Sequence, residues 1–371
     1  MSNPARRAEV KIIYQGKDIS RDIAPYLVSF TFNDNSGDKS DDINFSLADR
    51  DSLWLADWFP SKGDKVQVSI ILHNWQDFDK TESLPCGIYE VDEINYSAPP
   101  KVIEIKAVSA KITKPVCAEK HNRAWENVKL STIAADLAAN NNLKLFYDVA
   151  EDPFIERREQ NELSDLEFIA DLAKNYGLSV KTNDDKLIIF DEELYETHEP
   201  VSEIKSSDPY IINWRFSTKC AGIYKSARVR YHHPTKNETF TATDTDPAAE
   251  GTARVLEINE RVDNQSDANK IAHKRLQQAN SREITGTITL LGNLKFLAGV
   301  NITCSGFGNF DGKYLIESVQ HKLTDGYTCT LNLKMGGESK KAAANNKRRR
   351  QSGKSPNKSY ALGYYEGDRH Y

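Results

Sequence analysis

The stretch Pro60-Ser61-Lys62-Gly63-Asp64-Lys65-Val66-Gln67-Val68-Ser69-Ile70 contains the pattern that decides the fold. A turn of proline, glycine and polar residues ends at Asp64, and apolar and polar residues alternate strictly after it. Successive side chains of a β-strand point to opposite faces, so the alternation predicts a strand with one face on a core and the other in solvent. Repetition of this turn-and-strand unit along the chain is typical of an antiparallel barrel or sandwich.

The same alternation lies on both sides of that strand in the first third of the chain. Residues 26–32, 43–47 and 103–107 each alternate apolar with polar side chains, and turn-rich segments such as 33–38 and 99–100 separate them. Several short strands with this punctuation predict a first β-barrel-like domain, which we place at residues 1–115.

The period changes in the middle of the chain. Leu130, Ile133, Ala134 and Leu137 keep helical spacing, and the Ser164-Asp165-Leu166-Glu167 stretch is a capping box that opens a second helix. Gly177 stands where a helix C-cap belongs, and a hairpin follows it. The pattern predicts a small helix-containing α+β module at residues 116–205, inserted in a mainly β protein.

Strands resume after residue 206 and predict a second β-barrel-like domain at 206–335. It includes one helix at 266–279, and its last strands are predicted at 284–291, 300–304, 313–320 and 327–334. No repeat of sequence between the two β domains is identified, so their similarity is predicted to be one of architecture alone.

The last segment, residues 336–371, has no apolar periodicity and is predicted to be a disordered basic tail. From Ser339 to the end it carries nine Lys or Arg and two Asp or Glu. Its +7 charge leaves −12 on the other 338 residues, because the whole chain of 371 residues carries −5. An acidic body with a basic arm is typical of a docking tail, and we name its candidate partner-docking residues as Lys347, Arg348, Arg349, Arg350, Tyr364 and Tyr365.

Three interpretations of this tail stay open: a solvated end, an arm that folds onto an acidic partner or a neighbouring subunit, and, least favoured, a weak contact with DNA phosphates.

Composition sets the class of protein. A hydrophobic fraction of 39% and a charged fraction of 28% are ordinary for a soluble globular chain. The five cysteines are scattered without paired spacing, which argues against a disulfide framework and a zinc site. No signal peptide or apolar run long enough for a membrane anchor is found, so we expect synthesis in a cytoplasm.

No catalytic, cofactor-binding or metal-binding residue is assigned. Adjacent strand residues point to opposite faces, so His232-His233 is interpreted as a solvated pair beside a turn. The oxygens from Asp34 to Asp42 lack the glycine and glutamate of a calcium loop, so a polar hairpin loop is favoured. Acidic neighbours such as Asp49 and Asp51 leave a lysozyme-like pair as a minor alternative.

The aromatic stretch at residues 53–59, Leu-Trp-Leu-Ala-Asp-Trp-Phe, allows two interpretations. Its aromatic residues either pack in the core between strands or lie exposed at a subunit interface, where aromatics are favoured.

Five short motifs occur in order along the chain. They are Tyr14-Gln15-Gly16-Lys17-Asp18-Ile19, Tyr89-Glu90-Val91-Asp92-Glu93-Ile94, Leu163-Ser164-Asp165-Leu166-Glu167-Phe168-Ile169, Gly306-Phe307-Gly308 and Phe310-Asp311-Gly312-Lys313-Tyr314. In their order and spacing, residues 9–335 resemble a known family, the late-control-protein-D type of phage tail proteins.

The resemblance implies a structural baseplate hub without enzymatic activity, in a phage tail, a tailocin or another contractile injection system. It implies a homotrimer whose two barrels per subunit make a six-fold-like ring between a hexameric tail tube and a trimeric spike. The implied partners are the spike protein, a tail tube or tube-initiator protein, the tape measure protein and the baseplate wedge. The protein would be made in the bacterial host cytoplasm and incorporated into the particle.

Two alternatives stay open beside the hub of a phage or bacteriocin. One is a cell-envelope-binding or peptidoglycan-lytic tail module, which needs a convergent acid pair or an added hydrolase domain. The other is a hub of a VgrG-type secretion spike, which in its fused form needs a long β-rich repeat after residue 335. The sequence pattern favours neither.

Overall fold

The computed structural model describes residues 5–37, 40–109, 119–183, 186–234, 236–249, 252–337 and 340. Within them the chain is mainly β-structure with five short to medium α-helices, as the alternation predicts. The helices are α1 (Ser20–Ile23), α2 (Leu130–Asn140), α3 (Asp165–Asn175), α4 (Glu192–Thr197) and α5 (Gln265–Asn280). The strands are β1 (Arg7–Tyr14), β2 (Lys17–Asp18), β3 (Leu27–Asn35), β4 (Asp42–Ala48), β5 (Lys65–His73), β6 (Thr81–Ser97), β7 (Val102–Ser109), β8 (Lys120–Lys129), β9 (Lys144–Asp148), β10 (Phe154–Ser164), β11 (Leu178–Asn183), β12 (Lys186–Asp191), β13 (Ser202–Lys205), β14 (Ile211–Thr218), β15 (Ser226–His233), β16 (Glu238–Thr245), β17 (Val255–Ile258), β18 (Ile284–Leu291), β19 (Asn301–Ser305), β20 (Gly312–Leu323) and β21 (Tyr327–Met335).

The first barrel is built from β1, β5, β6, β7, β4 and β3, which are neighbours in that order and all antiparallel. Alternate residues of each strand point inward, as Val66, Val68 and Ile70 of β5 do. Ile12 of β1 and Phe45 of β4 line one cavity although three strands lie between them in the sheet. The sheet is therefore curled around its own core.

The second barrel repeats this order. β13, β19, β20, β21, β18 and β14 are neighbours in that order, and they take the places of β1, β5, β6, β7, β4 and β3. The first strand is the exception, because β13 is parallel to β19 whereas β1 is antiparallel to β5. The predicted pair of barrel-like units is confirmed, and the two share one topology.

The irregularities of the two barrels coincide as well. The register of β3 on β4 shifts between Leu27 and Ser29, and that of β14 on β18 shifts between Ile211 and Asn213. The register of β6 on β7 and that of β20 on β21 shift at matching places, before Glu93 and before Ser318. A β-bulge adds one residue to one strand, so matching bulges fix a residue-by-residue correspondence between the barrels.

This correspondence reveals a repeat in the sequence itself. Residues 25–33 read Pro-Tyr-Leu-Val-Ser-Phe-Thr-Phe-Asn and residues 209–217 read Pro-Tyr-Ile-Ile-Asn-Trp-Arg-Phe-Ser. Residues 87–94 read Gly-Ile-Tyr-Glu-Val-Asp-Glu-Ile and residues 312–319 read Gly-Lys-Tyr-Leu-Ile-Glu-Ser-Val. The expectation of shared architecture without a sequence repeat is wrong, because the repeated segments are short and the middle module separates them.

The barrels are joined edge to edge. β3 pairs antiparallel with the second half of β20, from Phe30 opposite Leu323 to Asn35 opposite Ser318. The indole N–H of Trp75 donates to the carbonyl of Gly292, at 2.7 Å, across the same junction. One hydrophobic cluster extends through both barrels, so they share a core.

The middle module has a second hydrophobic cluster of its own. It packs α2, α3 and α5 against three small sheets, β10–β8, β11–β12–β9 and β16–β15–β17. The predicted capping box is present at α3, where the N–H of Glu167 donates to Ser164 Oγ at 3.3 Å and the N–H of Ser164 donates to Glu167 Oε2 at 3.0 Å. Gly177 has a φ of +69°, which fits its predicted place after that helix.

The second cluster extends past the predicted boundary at residue 206. Val229 and Ile271, from the predicted second β domain, pack in it with Ile133 and Ile169 of the module. The predicted domain boundaries after residues 115, 205 and 335 stay a prediction, because they concern which segments fold independently. Of the predicted basic tail, residues 336, 337 and 340 are described.

Candidate assembly surface

The outer edge of β14 is an unpaired strand edge of the second barrel. β14 is the end strand of the large sheet, and in the described chain it pairs with β18 alone. Trp214 lies opposite Ile288, which is fully buried, so Trp214 points to the inner face of the sheet. It is nevertheless 48% exposed. The inner face of the sheet is therefore left open at Trp214, because no other strand of the described chain covers this edge.

The first barrel shows what such a neighbour does. Phe30 is the counterpart of Trp214 and is 0% exposed, because β20 runs along the outer edge of β3. Trp214 is held at its edge by a T-shaped contact with Phe307, with ring centroids 5.2 Å apart. Phe216 beside it stacks on Phe310 at 5.4 Å. The aromatic edge is therefore held in a defined position by ring contacts within the chain.

A second free edge lies on β6. This strand pairs with β5 through residues 81–90 and with β7 through residues 89–97, so in the described structure residues 93–97 are paired on one side alone. Ile94 and Tyr96 on this edge are partly exposed. Their counterparts in β20 are Val319 and His321, which are buried under β3. The two free edges are thus the two places where the repeat lacks its neighbour.

The aromatic stretch at residues 53–59 is buried in part, and its place at a subunit interface stays a prediction. Trp54 is 5% exposed and belongs to the core of the first barrel, whereas Leu55 and Phe59 are more than half exposed. Trp58 is exposed to an intermediate extent, at 37%. Its ring makes edge contacts with the rings of Trp54 and Tyr26, with centroids 5.5 Å and 5.8 Å apart. It lines the opening of an apolar cavity of about 260 Å³ inside the barrel.

A buried ion-pair network fastens the middle module to the first barrel. Lys181 of β11 places its Nζ 3.2 Å from Asp34 Oδ1 and 3.0 Å from Asp41 Oδ1, and it donates to the carbonyl of Asn35. Asp34 also accepts the N–H of Ala298, at 2.8 Å, and so connects this network to the second barrel.

Burial governs the titration of this network. It raises the pKa of Asp41 to about 6, although the nearby Lys181 ammonium opposes the shift. Burial alone would lower the pKa of Lys181, but the two carboxylates more than offset it and the pKa is raised. The network is therefore held by a firmly protonated lysine and by a carboxylate that titrates in mildly acidic solution.

A second ion pair fastens α4 to the second barrel. Lys334 is 3% exposed and contacts Glu192, which also accepts a hydrogen bond from Ser179 Oγ at 2.5 Å. Burial would raise the pKa of Glu192, but Lys334 holds it below the usual value. Glu196, one turn later, accepts the N–H of Gly337 at 3.0 Å, so the end of the second barrel is anchored on the module.

His233 corrects the interpretation of the His232-His233 pair. His232 is exposed, but His233 is 4% exposed and lies near Glu156 and Asp263 in a group that could hold a metal ion. The geometry does not fit a metal. Nδ1 already accepts the N–H of Lys236 at 3.2 Å, and Nε2 lies 3.8 Å from Glu156. The Glu156 carboxylate is itself paired with the Lys236 ammonium at 2.5 Å.

Asp49 and Asp51, the acidic residues named for a lytic pair, have structural partners, and Asp51 accepts the hydroxyl of Tyr26 at 3.3 Å. Asp49 is 1% exposed and accepts the N–H of Trp54 at 3.3 Å and the hydroxyl of Tyr96 at 2.9 Å. Asp34, the first residue of the calcium-like loop, is occupied by Lys181. A carboxylate committed to such contacts is poorly placed to act on a substrate.

Four cysteines of the described chain are free thiols: Cys86, Cys220, Cys304 and Cys329. Burial raises the pKa of Cys86 and of Cys304 to about 12 and that of Cys329 to about 11. A thiol at such a pKa is a weak nucleophile and a poor metal ligand at neutral pH, so these three cysteines are small apolar core residues.

The predicted docking residues Lys347, Arg348, Arg349, Arg350, Tyr364 and Tyr365 lie outside the described residues. They stay a prediction. The free strand edges, which sequence reasoning missed, had a signal in the repeated Pro-Tyr stretch.

Within the described chain, no helix has both the length and the apolar character needed to cross a bilayer.

Comparison with known proteins places these surfaces in context. The family model described as the phage tail baseplate hub (GPD) matches residues 117–327. The probable baseplate hub protein of Escherichia phage P2 is 27% identical over 179 residues, which cover 48% of this chain and 43% of that protein. The aligned part thus spans less than half the length of the relative.

Two solved structures share the fold at low identity. The 43 kDa tail protein of prophage MuSo2 from Shewanella oneidensis has a TM-score of 0.68 at 15% identity, with 89% of this chain and 99% of that chain covered. The half-lidded Francisella PdpA–VgrG complex has a TM-score of 0.53 at 10% identity, with 97% and 60% covered. The paired barrels and the module between them are therefore a fold found in tail and VgrG proteins.

Proposed function

Because this chain belongs to the phage tail baseplate hub (GPD) family, we propose that three copies of it close a ring at the base of a contractile tail. Members of this family are structural baseplate proteins and not enzymes. In the proposed ring each copy contributes two barrels. The six barrels face a hexameric tail tube on one side, and the three-fold assembly holds a trimeric spike on the other.

The internal repeat is the observation that carries this proposal. Two barrels with the same strand order and matching bulges are joined edge to edge within one chain. Three such chains present six similar barrels around a three-fold axis, so one object satisfies both symmetries. Cyclic closure also suits a chain whose free edges differ, because unlike edges make head-to-tail contacts, which form a ring when the rotation between copies closes.

The fold's occurrence in a PdpA–VgrG complex supports a spike as one partner. The tail tube or its initiator is the partner proposed for the opposite side, with the tape measure protein and the baseplate wedge as outer neighbours. We place synthesis in the host cytoplasm and the finished protein in the baseplate. The proposal applies equally to a phage, a tailocin or another injection system.

Light scattering after size exclusion tests the proposal, on the protein alone and after co-expression with the spike protein of the same particle. A complex with three copies of this chain and a trimeric spike is the expected result. Binding of the spike without self-association would contradict the ring, and a monomer that ignores the spike would contradict the hub assignment of this chain.

A further inference from the structure

We propose that the free edge of β14 in one copy pairs antiparallel with the free edge of β6 in the next copy, in the register that β3 and β20 adopt inside the chain. The inference rests on the self-association proposed above. It adds which strands meet and which residues lie opposite each other.

The register follows from the internal repeat. Within the chain, Phe32 lies opposite His321 and Asn33 lies opposite Gln320. The bulges map β3 onto β14 and β20 onto β6, so that each position has a definite counterpart. The translated register places Phe216 opposite Tyr96, Ser217 opposite Asn95, Arg215 opposite Ser97, and Lys219 opposite Glu93 of the next copy.

The chemistry of the translated pairs fits. The rings of Phe32 and His321 stack at 5.6 Å in the chain, and their counterparts, Phe216 and Tyr96, are both aromatic. Gln320 Nε2 donates to Asn33 Oδ1 at 3.1 Å in the chain. Their counterparts, Asn95 and Ser217, have an amide donor and a hydroxyl acceptor that can pair in the same way across the proposed joint.

Charge adds an independent argument for a second copy as the occupant. Lys219 and Glu93 are both exposed, and the translated register sets their opposite charges across the joint. Cross-strand pairs of aromatic residues and of opposite charges stabilise adjacent strands. These matches arise from positions that make no contact with each other in the single chain.

The burial of exposed aromatic side chains also supports pairing between β14 and β6. The joint would cover Trp214 as β20 covers Phe30, and Tyr96 as β3 covers His321. It would also pair two rows of backbone N–H and C=O groups, which otherwise leave exposed strand edges open to aggregation. Three internal joints and three such joints between copies then make six similar contacts around the ring.

Cysteine cross-linking tests the register. Four substitutions, Arg215→Cys, Ser217→Cys, Asn95→Cys and Ser97→Cys, are combined in pairs after Cys117 and Cys220 have been changed to serine. Two combinations are in register, Ser217→Cys with Asn95→Cys and Arg215→Cys with Ser97→Cys. The crossed combinations use the same positions two residues out of register, and so serve as matched controls. Each protein is oxidised mildly under the conditions in which the wild type self-associates.

We expect the in-register pairs to give cross-linked trimers at least about tenfold faster than the crossed pairs, because directly opposite Cβ atoms lie about 4.5–5.5 Å apart and diagonal ones about 7–8 Å. This register would be overturned, and the ring left intact, by either of two outcomes. The crossed pairs could cross-link faster than the in-register pairs, or no pair could cross-link in an assembly that light scattering shows to be trimeric. A chain that stays monomeric with the spike present would overturn the ring itself.

Charge reversal gives a second readout that does not depend on oxidation. Lys219→Glu or Glu93→Lys alone should weaken self-association by up to about fivefold per joint, and the double variant should restore it. Additive loss in the double variant would contradict the predicted contact.

Discussion

Lys181 is the side chain that most directly attaches the middle module to the first barrel. Its ammonium group is buried between Asp34 and Asp41 and contacts the backbone carbonyl of Asn35. Loss of one member of a buried ion pair is costly because the remaining charge keeps its desolvation penalty without a partner. The attachment therefore depends on the charge state of a few atoms.

Asp41 gives this network a dependence on pH. Its pKa rises from an ordinary 3.8 to about 6 in the folded protein, because burial disfavours the carboxylate. Between these values the folded protein keeps a proton that the unfolded chain has released, so the stability contributed by Asp41 falls as pH rises from about 4 to about 6. Relative to an Asp41→Asn variant, the wild type should lose on the order of 1–3 kcal/mol across this window.

Urea unfolding of both proteins at several pH values measures this difference, since the variant lacks the titrating carboxyl of residue 41. Curves that stay parallel from pH 4 to pH 7 would contradict a raised pKa for Asp41.

At the scale of elements, β14 depends on a glycine in β18. Phe216 lies over Gly286, and a Cβ added there would be 2.4 Å from Phe216 Cε1. The glycine thus provides the room that lets the aromatic ring of the edge strand pack on its neighbour. The counterpart of Gly286 in the first barrel is Ile43, so the second barrel has adapted this position to its own aromatic edge.

A Gly286→Ala variant should lower the free energy of unfolding by about 1–3 kcal/mol, because the added methyl group overlaps the Phe216 ring. Gly326→Ala is the matched control, since no atom lies within 4 Å of its added Cβ, and a change within about 0.5 kcal/mol is expected there. Denaturant unfolding measures both. Combining Gly286→Ala with Phe216→Leu should recover part of the loss, and no recovery would argue against this clash.

At the scale of the whole molecule, the two barrels form one body with a shared core. The β3–β20 pairing makes their strands one sheet, and their buried side chains belong to one cluster. A shared core couples the stability of its parts, so neither barrel is expected to unfold while the other stays native.

Two core variants test that coupling by calorimetry. Ile70→Ala in the first barrel and Leu331→Ala in the second each remove a fully buried side chain and should cost about 2–5 kcal/mol. Both should lower the midpoint of the same transition. Two separate transitions, each moved by one variant only, would contradict a shared barrel core.

Much of the fold could be predicted from short stretches of sequence. Alternation at 66–70 and helical spacing at 130–137 place a strand and a helix correctly, and Ser164 with Glu167 marks the start of α3. These features depend on residues within a few positions of one another, so a local pattern is enough to find them. His233 could not be placed this way, because Glu156 of β10, which is far from it in the sequence, lies against it in the folded chain.

The sequence by itself determined where most strands lie and how side chains alternate within their regular runs, because the two-residue period of a strand is local. It did not determine the bulge between Leu27 and Ser29, which breaks the period and leaves Val28 52% exposed beside the buried Phe30. It did not determine which inward side chains are covered. Phe30 and Trp214 occupy the same position of the repeated nine-residue stretch, yet Phe30 is buried and Trp214 is half exposed. The tertiary structure decides this, because the strand that covers Phe30 comes from the far end of the chain, with Asn33 and Gln320 separated by 287 positions.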